Sequence, residues 1–199
     1  DGPQKIHDYY RVDQQGAGSY QQVMETIELF KQMGVEYNIL TVVNSEVARY
    51  PKRIYDFFKQ HNFKYLQFIK CLDPLGEKRG SHHYSLTSDL YADFLNQLFN
   101  KWYRDIKQGT EISIRFFDNL IQMLLGYLPE ACDRRGECTI QYIIEADGGV
   151  YPCDFYVTDQ WRLGNIKQTT FGELKTTQTA KQFISISQKL PDECKSCPY

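Results

Sequence analysis

No run of the sequence is long and apolar enough to span a bilayer, and no signal-peptide pattern is visible. An excess of one charge is also missing: 23 Lys and Arg stand against 25 Asp and Glu, a formal net charge of −2. That balance argues against nucleic acid or a membrane surface as the main partner. There is no internal repeat and no low-complexity tract. An initiator Met is absent as well. The chain opens Asp1-Gly2-Pro3 and stops at Cys197-Pro198-Tyr199, just after a cysteine pair. The expectation from both ends is a fragment of a longer protein.

Apolar residues are plentiful at 42%, so a sizeable core can form without covalent staples. That bears on the six cysteines, Cys71, Cys132, Cys138, Cys153, Cys194 and Cys197, five of which fall in the last third of the chain. A small secreted domain would use them as disulfides. A larger chain without an export signal points instead to metal or cluster ligation in a reducing cytoplasm.

The first part alternates helix and strand. Ser19 is placed to cap a helix running to about Met33, with Tyr20, Val23, Met24, Ile27 and Phe30 on one face and Gly34 as the stop. Glu36–Val43 reads as a buried parallel strand, Pro51 starts a helix with Ile54, Phe57 and Phe58 inward, and Tyr65–Cys71 reads as another strand. These spacings imply βαβ crossovers and a parallel sheet or barrel. Sites in such folds lie beyond the C-terminal strand ends, which marks the residues after Val43 and around Cys71. Leu86 to about Lys107 has the strongest helical periodicity, ended by Gly109. A short strand near Ile112–Phe116 and a helix over Leu120–Leu125 follow. Beyond Cys132 the texture changes: Thr139–Glu145 and Val150–Cys153 form a hairpin about Asp147-Gly148-Gly149, then two short helices lie near Phe171–Thr176 and Thr179–Gln188.

Cys132 and Cys138 flank a short loop carrying Gly136, and Cys153 ends the returning hairpin strand. A tight loop and a hairpin end can bring three thiolates to one centre, of zinc or of iron–sulfur. Cys194-Lys195-Ser196-Cys197 is a CxxC half-site. Five cysteines cannot complete two four-Cys sites. Either one site uses another ligand type, or the missing cysteines lie beyond Tyr199.

Cys132–Cys138, Asp147–Tyr156 (Asp-Gly-Gly-Val-Tyr-Pro-Cys-Asp-Phe-Tyr) and Trp161–Ile166 (Trp-Arg-Leu-Gly-Asn-Ile) together resemble a SPASM domain, the auxiliary-cluster extension of radical S-adenosylmethionine enzymes. Asp1-Gly2-Pro3 through Ile6, His7 and Arg11 resembles the end of the fourth barrel strand of that superfamily. Asn38–Leu40 and Leu66–Pro74 resemble strands five and six. Over essentially its whole length the chain resembles the anaerobic sulfatase-maturating enzymes. The resemblance implies an α/β fold: the C-terminal part of a partial (β/α)6 radical-SAM barrel followed by a Cys-rich SPASM domain with a β-hairpin and short helices. Residues 1–108 would be the barrel units and following helix, 109–131 a linker strand and helix, and 132–199 an incomplete auxiliary-cluster domain.

The resemblance further implies [4Fe–4S] clusters and S-adenosylmethionine as cofactors, and oxidation of a sulfatase Cys or Ser to formylglycine. The partners implied are a sulfatase polypeptide with a Cys/Ser-x-Pro/Ala-x-Arg motif and an electron donor such as flavodoxin or ferredoxin, with no nucleic acid and no membrane. Position by position, Cys132, Cys138 and Cys153 match ligands of a first auxiliary cluster, and Cys194 and Cys197 match half of a second. Asp154 matches the general base, Leu72 the adenine contact, and Gln67 and Arg11 positions near the cofactor. The CxxxCxxC motif that holds the radical-generating cluster in that family does not occur here. Two other functions remain in view: a different SPASM enzyme that modifies peptides, and a zinc-stabilised binding module. Outside these positions the readings are structural. Cys71 is a buried thiol, His82-His83 a solvated loop pair, and His7 and His61 surface or satisfied core groups.

Overall fold

The structure, a computed structural model, describes residues 1–196, so Cys197 lies outside the described residues. The chain divides into two compact units, Asp1–Ile121 and Gln122–Tyr199.

The first unit opens differently from the strand end expected at Asp1–Arg11. The carbonyl of Pro3 accepts from the N–H groups of Ile6 and His7, and a helix, α1 (Gln4–Tyr10), forms. The next helix, α2 (Tyr20–Met33), buries Ile27 and stops at Gly34, whose left-handed φ of 65° suits a residue without Cβ. Ser19 does not cap it through its side chain. Its Oγ instead donates to the Arg11 carbonyl and meets Nε2 of the buried His7. The carboxylate of Asp8 takes over at the helix start, accepting from Tyr20 N–H at 2.8 Å. Gly18 makes room for it: a Cβ there would come within 2.2 Å of Asp8 Cγ.

Three parallel strands follow, β1 (Ile39–Val43), β2 (Tyr65–Lys70) and β3 (Ser113–Ile114), side by side in that order. The connections carry α3 (Pro51–Gln60) and α4 (Ser88–Lys107). Alternation along β1 and β2 sends Thr41, Val43, Leu66 and Phe68 into the core. There Ile54, Tyr55 and Phe58 of α3 and Phe94, Leu98 and Trp102 of α4 belong to the same cluster. The intervening positions Leu40 and Tyr65 stay exposed, with Gln67 and Ile69 half-buried. Helices thus cover one face of the sheet, the arrangement of a barrel segment.

The strand expected at Ile112–Phe116 is only two residues long. The Ile112 carbonyl is taken by Trp102 Nε1 at 2.7 Å, and helix α5 (Arg115–Leu124) begins directly after Ile114. The segment read as a linker therefore supplies the third strand of the sheet.

Beyond β2, residues 71–87 hold no helix or strand, yet the loop is braced. Asp73 accepts from Ser85 Oγ at 2.6 Å and from Gly80 N–H at 2.7 Å. His82 pairs with Glu77 at 2.7 Å and stacks on Tyr84. Ser45, just past β1, donates to the carbonyls of His83 and Tyr84 and anchors the loop.

The second unit is built on a small antiparallel sheet, β4 (Ile143–Ile144), β5 (Gly149–Tyr151) and β6 (Gly164–Asn165). The strand expected over Thr139–Glu145 shrinks to β4 because Tyr142 has φ 55°, which breaks the extended run. Its hydroxyl donates to the Phe171 carbonyl at 3.1 Å, and the two rings meet edge-on at 5.0 Å. Three helices complete the unit: α6 (Phe171–Thr176), α7 (Gln178–Ser187) and α8 (Asp192–Lys195). Val150, Leu163, Leu174 and Ala180 form its core. Thr170 and Glu173 close a capping box at α6.

Asp147 ties the hairpin to β6. It accepts from Gly149 N–H and from Arg162 Nη2, each at 2.8 Å, while its carbonyl accepts from Asn165 Nδ2. The Gly149 N–H and the Arg162 guanidinium hold its carboxyl below the usual carboxylate range. A depressed folded-state pKa stabilises the fold above the unfolded-state value, about 3.9, and that contribution disappears as pH falls through the folded-state value. Asp147→Asn should therefore lower stability at neutral pH and flatten its loss on acidification. Denaturant unfolding of the complete protein at a series of pH values below 5 checks this; parallel curves for the two proteins would contradict it.

Candidate metal centre

The cysteines sit where short backbone elements place them. Cys132 starts a helical turn, Cys132–Arg134, closed by Arg135 N–H on the Cys132 carbonyl. Gly136, at φ 74°, lets the loop swing back towards Cys138. The Cys138 N–H donates to Ser187 Oγ on α7 at 2.8 Å. Cys153 follows β5 after Pro152 in an extended conformation.

Gln141 joins two of these segments. Its N–H donates to the Pro152 carbonyl at 2.7 Å, and its side-chain Nε2 reaches Cys132 Sγ at 3.9 Å. Cys132 is thereby brought close enough for its charge to be felt at Cys153. Burial, a hydrogen bond from the thiol to Asp154 and the charge of Cys132 push the Cys153 thiol up to about 11, against the pull of Phe155 N–H. A metal bound there must displace that proton, and its own charge supplies the driving force.

Asp154 begins the helical turn Asp154–Tyr156, and its Oδ1 accepts from Cys153 Sγ at 3.3 Å. The turn is held from α7: Phe183 packs edge-on against Tyr156 and Trp161 at 5.3 and 5.2 Å. One helix thus supports both the Cys138 loop and the Asp154 turn. Cys194 lies exposed on α8, and its expected partner Cys197 is outside the described residues.

Among the described residues, no group of three or more His, Cys, Asp or Glu side chains closes on a single ion. Soft thiolate donors such as Cys132 and Cys153, on segments joined through Gln141, suit the ligation of an iron–sulfur cluster.

The cofactor positions expected in the first unit lie on or beside β1 and β2. Arg11 Nε donates to Asp1 Oδ2 at 2.7 Å, and Asp1 Oδ1 accepts from Val42 N–H of β1. Leu72 is half exposed directly after Cys71, whose N–H donates to the Val43 carbonyl. Gln67 lies mid-strand opposite Leu40, and its Oε1 accepts from Arg115 Nη1 at 3.3 Å. Cys71 has a raised thiol pKa from burial and from Asp73, partly offset by Arg11. Gln141, Ser187 and Arg115 carry no motif and were not singled out from the sequence; they are found only by their distances.

Residues 132–198 match the SPASM family model, an iron–sulfur cluster-binding domain. Over all 199 residues the chain is 47% identical to the cysteine-type anaerobic sulfatase-maturating enzyme of Clostridium perfringens, of which it covers 54%. The chain is a homologue of the anaerobic sulfatase-maturating enzymes. A cysteine-type relative from Clostridium novyi is 46% identical over 99% of this chain and 53% of its own length. The serine-type enzyme of Bacteroides thetaiotaomicron is 30% identical over 100% and 51%. The fold matches native anSMEcpe with bound AdoMet and Cp18Cys peptide at a TM-score of 0.94 and 48% identity, over all of this chain and 55% of that one. The chain spans about half the length of the curated relatives it matches. Residues 132–198 are thus similar to an iron–sulfur cluster-binding domain, and the first unit has the fold of the corresponding part of a radical S-adenosylmethionine enzyme.

Proposed function

We propose that this chain is part of a radical S-adenosylmethionine enzyme that oxidises an active-site residue of a sulfatase to formylglycine. The observation that carries the reading is the 47% identity along all 199 residues to a cysteine-type sulfatase-maturating enzyme. The lower identity to a serine-type enzyme, 30%, favours Cys as the residue oxidised. The first unit contributes the later strands of the barrel, and the second the auxiliary-cluster domain.

Each group of residues then has a task. Cys132, Cys138 and Cys153 hold one auxiliary [4Fe–4S] cluster, and Cys194 and Cys197 supply half of a second. The Leu72 backbone, Gln67 and Arg11 lie along the cofactor. S-adenosylmethionine, when bound and reduced, supplies the radical that removes hydrogen from the target β-carbon. Asp154 would accept the proton from the target thiol or hydroxyl, the second electron would leave through the auxiliary-cluster domain, and with a Cys target water would supply the aldehyde oxygen as the sulfur departs as sulfide. Electrons are exchanged with a flavodoxin- or ferredoxin-type donor, and the setting is the reducing cytoplasm that free thiols require.

The test uses the complete protein, purified without oxygen and given S-adenosylmethionine, a reductant and a Cys-x-Pro-x-Arg peptide. Mass spectrometry is expected to find the Cys converted to an aldehyde. Cofactor cleavage with an unchanged peptide would refute the substrate assignment.

A further inference from the structure

The first unit holds a cleft that none of the roles above uses. It lies between α1 and the segment from Ser45 to Arg53, with His83 at its edge and a volume of about 430 Å³. That size is within the range of ligand sites, roughly 300–1,000 Å³. Three cations line it, Lys5, Arg49 and Arg53, against the single carboxylate of Glu46. Glu46 approaches Arg49 at 3.8 Å, whereas Lys5 and Arg53 form no ion pair among the described residues. The local charge is positive in a chain whose net charge is −2. Tyr9 and Tyr50 are 68% and 38% exposed on the same surface, and Tyr9 is braced edge-on by Tyr10 at 4.8 Å. Exposed Tyr and Arg together are the composition of a protein-recognition surface.

The position of the cleft matters as much as its charge. Ser45 and Glu46 come just after β1, and His83 belongs to the braced loop that leaves β2 at Leu72. The two hydrogen bonds from Ser45 to that loop join the cleft wall to the segment carrying the proposed adenine contact. The cleft therefore opens at the strand ends where parallel α/β proteins do their chemistry.

We propose that this cleft is a substrate exosite that takes an acidic segment of the target polypeptide, flanking the residue to be oxidised. The inference rests on the sulfatase-maturation reading, whose substrate is itself a polypeptide. Arg49 and Arg53 offer planar donors to Asp or Glu side chains, Lys5 adds a third charge, and the tyrosines cover the adjoining backbone.

The test compares two peptides with the same Cys-x-Pro-x-Arg core, one with an Asp/Glu-rich flank and one with a Ser/Gly flank. Both are given to the complete protein and to its K5E/R53E variant. For wild type the acidic peptide should have the lower KM. Exposed charge pairs each contribute little, so the double reversal should raise that KM by about tenfold and leave kcat and the neutral peptide's KM unchanged. The difference should shrink with added salt. Aldehyde formation with equal KM for both peptides, in both proteins, would overturn the exosite and leave the activity standing. No aldehyde from either peptide in wild type would overturn the activity and the exosite with it. Circular dichroism of the variant, together with its kcat on the neutral peptide, separates lost recognition from lost fold.

Discussion

Asp154→Asn in the complete protein should lower aldehyde formation by about 10²- to 10⁴-fold, the usual worth of a positioned general base. The change is nearly isosteric. With the cluster bound, Cys153 has no proton to give, so the substitution costs nothing at the 3.3 Å contact seen here between its sulfur and Asp154. The turn it starts is held by Tyr156 and Trp161 against Phe183, contacts the substitution does not touch. What disappears is the negative charge and the ability to take a proton. Iron content and release of 5′-deoxyadenosine should therefore stay near wild type while peptide turnover collapses. Turnover within a factor of two of wild type would rule out Asp154 as the base. A parallel fall in iron content would instead make it a structural support of the cluster loop.

Cys153→Ala should remove about four irons per chain, one cubane's complement, whereas Cys71→Ala should remove none. The two thiols are similar in several respects: both are half-buried, and burial raises the pKa of both. They differ in surroundings. Cys153 lies within electrostatic reach of Cys132, on a segment joined to it through Gln141. Cys71 lies in the other unit beside Asp73 and Arg11 and extends the sheet through its backbone N–H, which Ala retains. Binding free energy at a metal centre is also folding free energy, so Cys153→Ala should loosen the small second unit. Iron analysis with thermal unfolding of both variants, prepared without oxygen, decides the matter. Equal iron in the two variants would contradict the ligand assignment.

Local patterns made much of the fold legible. The 3.6-residue apolar period of α4, Pro51 at the head of α3 and Gly34 at the foot of α2 each act within a turn or two of the chain, and the helices fall close to where those signals put them. Asp147-Gly148 marks its hairpin for the same reason. Signals failed where a distant partner outcompeted local preference. Ser19, a good capping residue, gives its hydroxyl to the Arg11 carbonyl while Asp8 serves the helix start. The β4 strand is cut short by Tyr142, which α6 holds in a left-handed conformation. At Ile112, the Trp102 indole takes the carbonyl that a longer strand would have used.

The site divides along the same line. Cysteine spacing about a glycine loop and a hairpin end is a chemical statement, because soft thiolates in that number have few other uses in a chain able to build its core without disulfides. The sequence by itself therefore determined the helix pattern, the parallel first unit, the clustered donors and the family they resemble. Only the tertiary structure decided which groups serve them: Gln141 drawing Cys132 towards Cys153, α7 supporting both the Cys138 loop and the Asp154 turn, Arg115 on Gln67, and the cationic cleft beside α1. These pairings join residues up to 49 positions apart. No local propensity encodes such a meeting, since it depends on how whole elements pack and on which polar groups that packing leaves to be satisfied.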